Sequence, residues 1–333
     1  MKQAVIDLGT NTFHLMIVEE QPGGSRQTLF RESRPAKIGK GGINQNHITD
    51  EAIDRALGVL TYFRSVLDQF SIDPVTVRAF GTSAIRVAAN QAQFIERVRA
   101  ETGIQIQVIS GDEEAAYIYA GVRSSGAMNL HNDPNPPVSL IMDIGGGSVE
   151  FILGTPDRIF WKQSFEIGGQ RLLERFMPNS QNAISLAAVE RMNDFFREKL
   201  LPLTNAIHQY APTTGRPLQL VGSSGTFDTL VDMHYMHERG HLPGPVRRSD
   251  GTTAPEQAAF ALPVSEFYRA YDLLLTRNHD ERMALPGMIE LRVDMIVVAV
   301  CLIDFVLTTF GIQTIMVSTY ALKEGVLTAN SDQ

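Results

Sequence analysis

The sequence is poor in the residue patterns that build disulfides, zinc sites and serine nucleophiles. Cys301 is its only cysteine, which excludes an internal disulfide and a cluster of thiolates around a metal ion. The eight histidines show no metal-ligand spacing, and no Gly-x-Ser-x-Gly or Ser/His/Asp signature occurs. These absences argue against a zinc hydrolase and a serine hydrolase, and they fit a reducing cytoplasm.

Basic residues and long apolar runs are also scarce. The 29 Lys and Arg residues are outnumbered by 37 Asp and Glu residues, and the net charge of −8 argues against nucleic-acid binding through a basic face. The most apolar stretch, Met295–Phe310, contains Asp304 and is shorter than the roughly 18 residues of a spanning helix, so it predicts a buried helix. The chain enters a strand directly after Gln3, which leaves no room for a secretory leader. We therefore expect a cytoplasmic protein with no membrane and no nucleic-acid partner.

One short motif occurs twice in the chain. Asp7-Leu8-Gly9-Thr10-Asn11-Thr12-Phe13-His14 returns as Asp143-Ile144-Gly145-Gly146-Gly147-Ser148-Val149-Glu150. A second pair, Gly81-Thr82-Ser83 and Gly222-Ser223-Ser224-Gly225-Thr226, keeps nearly the same offset along the chain. Two chance Gly-rich turns would not keep this register, so the pattern predicts a duplicated domain. Loops of this composition leave backbone N–H groups free to face an anion, and two facing loops would form a cleft for a polyphosphate.

Strand and helix patterns also recur in the same order in both halves. In the first half they predict strands at 4–8, 13–20, 27–34, 75–80 and 104–109, and helices at 50–70, 83–90, 92–101 and 112–123. After a polar, Pro-rich segment, strands are predicted at 138–144, 149–153, 158–163, 218–221 and 314–318, with a long helical region up to residue 310 before the last strand. The prediction is an α/β protein of two domains, 1–125 and 126–333, the second carrying inserted helices.

Acidic residues mark a candidate metal site. Asp143 and Glu150 lie on the two arms of the second predicted hairpin, so both can reach one end of the sheet. Mg²⁺ is bound by oxygen ligands, commonly one or two carboxylates together with substrate phosphates. Asp7 faces the same space from the first domain. The alternative, that these acids merely cap turns, is less favoured because both acids of the second copy flank a Gly-rich loop.

Glu114 is a candidate general base. It begins a predicted helix at the edge of the cleft, where its carboxylate can accept a proton from water that attacks a terminal phosphorus. Glu113 is expected to be solvated or to cap the helix, as acids in a first helical turn commonly do. Arg86, one turn into another predicted helix, either reaches phosphates bound at that helix's N-terminus or is an ordinary surface arginine. His14 occupies the repeat position of Glu150 and either bonds a phosphate or packs on the hairpin.

Further cations are candidates for phosphate contacts, or else plain solvated charges. They are Arg34, Lys37, Lys40, Arg247 and Arg248.

Taken together, these motifs resemble the exopolyphosphatase/guanosine pentaphosphate phosphohydrolase (Ppx/GppA) family, a branch of the sugar kinase, heat-shock ATPase and actin superfamily. The resemblance runs in family order through residues 6–14, 81–86 with Asn90, 110–115, 143–150, 222–226 and 318–325. It implies two actin-like (ribonuclease H-like) domains with an interdomain cleft. The helical domains that extend the polyphosphate channel in longer members are not expected here, because the sequence stops soon after Gly325.

The resemblance also implies roles for individual residues. Glu114 would be the general base, Asp143 and Glu150 the Mg²⁺ ligands, and Arg86 part of a phosphate cradle. The other cradle residues would be Thr10, Asn11, Thr12, Gly145, Gly146, Gly147, Ser148, Ser223, Ser224 and Gly225.

The activity implied by the resemblance is that of an exopolyphosphatase, which hydrolyses the terminal phosphoanhydride of inorganic polyphosphate with Mg²⁺ and releases orthophosphate. One alternative is guanosine pentaphosphate (pppGpp) 5′-phosphohydrolase activity, which would connect the protein to the stringent response. Others are a non-catalytic protein that binds polyphosphate or guanosine tetraphosphate, and an ATP-using phosphotransferase, since fold alone does not decide function. The apolar helix within 288–310 suits either a core or the interface of a homodimer.

Overall fold

The computed structural model describes residues 2–22, 26–244 and 257–329; Arg247 and Arg248 lie outside these ranges. The described strands are β1 Lys2–Leu8, β2 Thr12–Glu20, β3 Arg26–Pro35, β4 Arg78–Gly81, β5 Ile106–Val108, β6 Val138–Ile144, β7 Val149–Thr155, β8 Arg158–Phe165, β9 Leu218–Ser223, β10 Ala259–Leu262 and β11 Ile315–Ser318. The α-helices are α1 Asp50–Gln69, α2 Ser83–Val87, α3 Gln91–Thr102, α4 Gly111–Ser125, α5 Gly169–Phe176, α6 Leu186–Lys199, α7 Leu201–Thr214, α8 Gly225–Arg239, α9 Val264–Thr276, α10 His279–Met283, α11 Met295–Phe310 and α12 Leu322–Thr328.

The strands form two mixed sheets with the same strand order. The first sheet runs β3-β2-β1-β4-β5, and the second contains β8-β7-β6-β9-β11 with β10 added at its edge. In the first sheet, β1 pairs antiparallel with β2 and parallel with β4. In the second sheet, β6 likewise pairs antiparallel with β7 and parallel with β9. This is the strand order of an actin-like domain, and its repetition confirms the predicted fold class. The division of the chain at residue 125 stays a prediction.

Two details of the predicted elements are wrong. The long helical region contains β10, a four-residue strand that pairs with β11 only after the chain returns from α11, so its partner is remote in sequence. The strand predicted at 75–80 begins at Arg78 instead. Before it, Pro74–Thr76 forms a 3₁₀ turn in which the Asp73 side chain accepts from the Val75 N–H, a common local alternative to extended backbone.

The two motif hairpins keep the same register. Asp7 lies opposite His14 in the first hairpin, as Asp143 lies opposite Glu150 in the second. The third strand of each sheet adds a serine to the same row, Ser33 beside His14 and Ser164 beside Glu150. The duplication therefore extends to single side chains at the ends of the strands.

Helix α11 belongs to the core of the second half. Eleven of its sixteen residues are buried, including Cys301, and they pack with residues from the second sheet and several helices. Of the two roles considered for this apolar segment, the structure shows the core. Helix α11 therefore does not provide an exposed dimer interface, and a homodimer stays a prediction. Within the described ranges, no helix combines the length and apolar character needed to cross a bilayer.

Helices α4 and α12 cross between the two sheets. They belong to an apolar cluster that includes Phe80 from the first sheet and Ile141 from the second. Glycines allow the close approach: a Cβ on Gly121 would overlap the Ala321 carbonyl, and one on Gly325 would overlap the Tyr117 carbonyl. The helix backbones are therefore in direct contact at this crossing.

Candidate active site

A cavity of about 300 Å³ lies between the two sheets, where the two motif hairpins meet. The residues predicted from sequence that line it are Asp7, Thr10, Asn11, Thr12, His14, Glu114, Asp143, Gly145, Gly146, Gly147, Ser148, Glu150, Ser224 and Gly225. Residues remote in sequence therefore share one cleft. Arg86 and Ser223 are not on its wall and instead contact two residues that are, Glu114 and Asp143.

The two Gly-containing loops face each other at close range. A Cβ added to Gly147 would lie 2.5 Å from Oγ of Ser83 and 2.6 Å from Oγ1 of Thr10, and one added to Gly146 would lie 2.5 Å from Nδ2 of Asn11. A larger side chain at position 146 or 147 would therefore displace the opposing side chains. The buried atoms Asn11 Oδ1 and Thr12 Oγ1 have no hydrogen-bond partner, which leaves them available to a ligand.

Local helix capping separates the roles of three consecutive acids at the start of α4. Glu113 and Ser110 form a capping box, so the Glu113 carboxylate folds back onto the Ser110 N–H at 2.8 Å. Asp112 is exposed and lies near Lys162. Glu114, which follows Glu113, is buried and lines the cleft. The expected difference between Glu113 and Glu114 is thus explained by the cap.

Arg86 is the direct partner of Glu114. Its Nη1 donates to Oε2 of Glu114 at 2.7 Å, and its Nη2 donates to Oε1 of Glu166 at 3.2 Å. Burial raises the pKa of Glu114 to about 7, although the charge of Arg86 and its hydrogen bond lower it. A phosphate contact of Arg86 stays a prediction; the contacts in the structure show that it orients Glu114.

Two serine hydroxyls hold Asp143. Ser223 donates to Oδ2 at 2.7 Å and Ser224 donates to Oδ1 at 2.6 Å. Ser223 is fully buried and off the cavity wall, so the structure shows it as a support of Asp143 instead of an exposed part of the predicted cradle. Burial raises the pKa of Asp143, while these hydroxyls and Lys323 lower it.

Glu150 and His14 occupy equivalent positions in the two hairpins, and each has a serine from the neighbouring strand as its partner. Ser164 donates to Oε1 of Glu150 at 2.6 Å, and Ser33 lies 2.6 Å from Nδ1 of His14. Burial, followed by the neighbouring charges of Glu114 and Asp143, raises the pKa of Glu150 well above its ordinary value. Burial and then Lys323 lower the pKa of His14 well below its ordinary value, so this imidazole is neutral.

Acids dominate the electrostatics of the cleft. Burial raises the pKa of Asp7 to about 6 and that of Asp228 to about 7, and it raises the pKa of Asp232 to about 6. All three line the cavity together with Glu114, Asp143 and Glu150. Several buried carboxylates in one cavity repel one another when charged, so a bound cation would stabilise their charged forms.

The donor set suits a hard cation that brings other oxygen ligands with it. Within the described ranges, no three His, Cys, Asp or Glu side chains are grouped closely enough to hold a metal ion alone. The predicted set Asp143, Glu150 and Asp7 is therefore not a closed cage. Its oxygen-only chemistry still fits Mg²⁺, which keeps water and phosphate ligands, and Asp143 with Glu150 are the residues on facing strands that would hold it.

Sequence reasoning missed several residues at the cleft. Asp228, Asp232 and Arg292 line it, and Lys323 does so from within a motif to which no role had been given. Glu166 is also new: it accepts hydrogen bonds from Ser83, Arg86 and Arg171. Lys323 carried the signal of its motif, whereas the other residues carried only their charge, which ordinary surface residues share.

Of the remaining candidate cations, the three that the structure describes, Arg34, Lys37 and Lys40, are not on the cavity wall. Arg34 donates to Glu32 at 2.7 Å and lies 3.4 Å from the ring centroid of Tyr62, a structural pairing. Lys37 and Lys40 line a neighbouring cavity of about 430 Å³ that shares Asn11 with the cleft.

The family of the chain follows from a match along nearly its whole length. The model of the Ppx/GppA phosphatase family matches residues 16–333. The chain belongs to this family. The match extends over both halves of the duplicated fold and includes every cleft residue from Ser33 onward, and the first motif at 7–14 precedes it.

Solved structures show the same fold. An exopolyphosphatase from Cytophaga hutchinsonii is 43% identical, with a TM-score of 0.87 over 100% of this chain and 98% of that one. The Aquifex aeolicus member of the Ppx/GppA family is 24% identical, with a TM-score of 0.72 over 99% of this chain and 97% of that one, and shows the fold alone. The bifunctional 3-dehydroquinate synthase/phosphatase of Fusobacterium nucleatum is 32% identical over 251 residues, which are 72% of this chain but only 36% of that longer protein.

Proposed function

We propose that this Ppx/GppA family protein hydrolyses the terminal phosphoanhydride of inorganic polyphosphate and releases orthophosphate. The observation that carries the proposal is the single cleft in which Glu114, Asp143 and Glu150 face two opposed loops rich in backbone donors. The 43% identity to a protein described as an exopolyphosphatase supports the same substrate class.

The chain's own residues account for positioning and proton transfer. Backbone N–H groups of Gly146 and Gly147, together with Thr10 and Asn11, would hold the terminal phosphoryl group, whereas the Gly145 N–H donates to the Ser148 carbonyl at 3.0 Å. Glu114 would take a proton from the attacking water, and a pKa of about 7 matches a general base that works near neutral pH. Arg86 keeps the Glu114 carboxylate oriented through its 2.7 Å hydrogen bond.

A divalent cation is part of the proposal. Asp143 and Glu150 would hold Mg²⁺, which when bound neutralises charge on the phosphoryl oxygens and polarises the phosphorus. The two serine hydroxyls on Asp143 and the one on Glu150 keep these carboxylates oriented toward the cleft. The raised pKa values of both acids mean that a cation and protons compete for them.

Hydrolysis of guanosine pentaphosphate is a second candidate with its own observation. A cavity of about 360 Å³ adjoins the cleft at Asp228 and Asp232 and is lined by Tyr235 and Phe260. Aromatic side chains beside a phosphate site suit a purine base. A nucleotide could therefore extend from the cleft into this cavity.

The test is phosphate release from purified protein with polyphosphate, guanosine pentaphosphate and ATP, each with Mg²⁺ and with EDTA. We expect Mg²⁺-dependent release from polyphosphate at a higher kcat/KM than from the nucleotide. Preference for guanosine pentaphosphate would favour the second candidate. Binding without release from any substrate would instead identify a sensor, and transfer from ATP to an acceptor would identify a phosphotransferase.

A further inference from the structure

Two cationic side chains line the cleft without a role in the mechanism above. Arg292 lies just before α11, and Lys323 lies in the first turn of α12. They are the only Lys and Arg residues on the described wall of this cavity, which carries six carboxylates. Any phosphoryl group bound there would meet these two positive charges.

Neither cation is paired within the described part of the protein. No hydrogen bond or ion pair joins their side chains to a described residue, and Nε of Arg292 is buried without a partner. Asp228 and Asp143 act on Arg292 electrostatically but lie beyond ion-pair distance. Buried charges in proteins are normally paired, so an unpaired guanidinium at a cavity wall indicates an anion from outside the chain.

The position of Arg292 is set by a glycine. A Cβ on Gly225 would overlap the Nη2, Cζ and Nε atoms of Arg292, so the guanidinium lies directly against the backbone where α8 begins. The first N–H groups of this fifteen-residue helix lack intrahelical acceptors, and the helix dipole is positive at this end. Arg292 and the start of α8 thus present donors to the same region of the cleft.

We propose that Arg292 and Lys323 bind the phosphoryl group next to the one under attack. The inference rests on the proposed function, which identifies the attacked group as the one beside Glu114. When the anhydride bond breaks, the leaving phosphoryl group gains negative charge, and the two cations stabilise that charge. The cleft then recognises a phosphoanhydride through two successive phosphoryl groups, which disfavours phosphate monoesters as substrates.

Asp228 and Asp232 face the same region and oppose an anion when charged. Burial raises the pKa of Asp228 to about 7, so this carboxylate is partly protonated near neutral pH. Its Oδ1 atom is buried and has no hydrogen-bond partner, as expected beside a ligand site.

The test measures binding of tripolyphosphate by calorimetry in the presence of Mg²⁺. All variants carry Glu114→Gln, which stops turnover, so the result does not depend on whether the protein hydrolyses the probe. Adding Arg292→Gln should weaken tripolyphosphate binding by about 10- to 100-fold, the usual effect of losing a charged hydrogen bond. Arg292→Lys should recover part of the affinity, and Arg99→Gln, which removes an exposed arginine remote from the cleft, should change it by less than about 2-fold.

A second variant tests the position of the guanidinium instead of its charge. Gly225→Ala keeps the charge but displaces the guanidinium, and it should weaken binding as Arg292→Gln does. Melting temperatures establish that each variant is folded. Affinity within about 2-fold of the parent in folded Arg292→Gln would overturn the inference. Equal losses in Arg292→Gln and Arg292→Lys would also overturn it, because they would indicate a structural role. Absence of phosphate release by the unmodified protein would overturn the proposed function instead.

Discussion

The Nη1 atom of Arg86 lies 2.7 Å from Oε2 of Glu114, and this contact opposes the effect of burial on the carboxylate. Burial raises the pKa of Glu114, and Arg86 is the strongest influence that lowers it. The outcome, a pKa of about 7, leaves the base largely available at slightly alkaline pH. The arginine therefore sets the pH range in which Glu114 accepts a proton.

Replacing Arg86 by Gln should move the acidic limb of the pH profile to higher pH. Without the guanidinium the pKa of Glu114 rises, so kcat/KM at pH 7 should fall by at least about 10-fold, and part of the loss should be recovered at pH 9. The measurement is kcat/KM for tripolyphosphate between pH 5.5 and 9.5. Arg99→Gln is the control for loss of one positive charge. An unchanged midpoint of the limb would show that Arg86 does not act through Glu114.

The acidic cleft should make the metal-free protein less stable at high pH. Asp7, Asp228 and Asp232 have folded-state pKa values of about 6 to 7, so the folded protein holds more protons than the unfolded chain between about pH 4 and 7. The free energy of unfolding then falls as pH rises through this range. Neutral His14 acts in the opposite direction, but it is one group against several acids.

Thermal unfolding in EDTA at pH 5 and pH 8 checks this pH dependence. We expect a melting temperature lower by several degrees at pH 8, and a smaller difference when Mg²⁺ and phosphate are added. Asp228→Asn should be more stable than the parent protein at pH 8, because it removes one buried charge. A melting temperature that is flat or rises between the two pH values would contradict the electrostatic account.

Much of the site was predictable because its signals are local. The hairpin register that sets Asp143 opposite Glu150 follows from alternation along two adjacent strands. The capping box that turns Glu113 away and leaves Glu114 to the cleft spans four residues. Duplication added a check on the motifs, since each loop had a partner at a similar offset.

The arrangements that the sequence did not reveal depend on contacts between distant segments. Arg292 faces the cleft only because Gly225, in another element, leaves room for its guanidinium. Ser223 lies in the predicted loop, but the parallel pairing of β9 with β6 directs its hydroxyl to Asp143. Nothing in the local sequence distinguishes these arrangements from solvated side chains.

The glycine contact between α4 and α12 should be essential for stability. Gly325→Ala inserts a methyl group into the Tyr117 carbonyl, which requires the helices to separate and should cost about 1–3 kcal/mol or more of unfolding free energy. Gly58→Ala is the matched control, since Gly58 is exposed in α1 with open space around it and should gain about 0.5–1 kcal/mol. Urea unfolding measures both. Equal stabilities of the two variants would refute the close crossing.

The most direct test of the central claim compares Glu114→Gln with Glu113→Gln in phosphate release from polyphosphate. The two substitutions are chemically identical and adjacent, but only Glu114 lines the cleft. We predict that Glu114→Gln lowers kcat by about 10²- to 10⁴-fold while tripolyphosphate binding and the melting temperature are retained, and that Glu113→Gln keeps most of the activity. Undiminished turnover in folded Glu114→Gln would contradict the account.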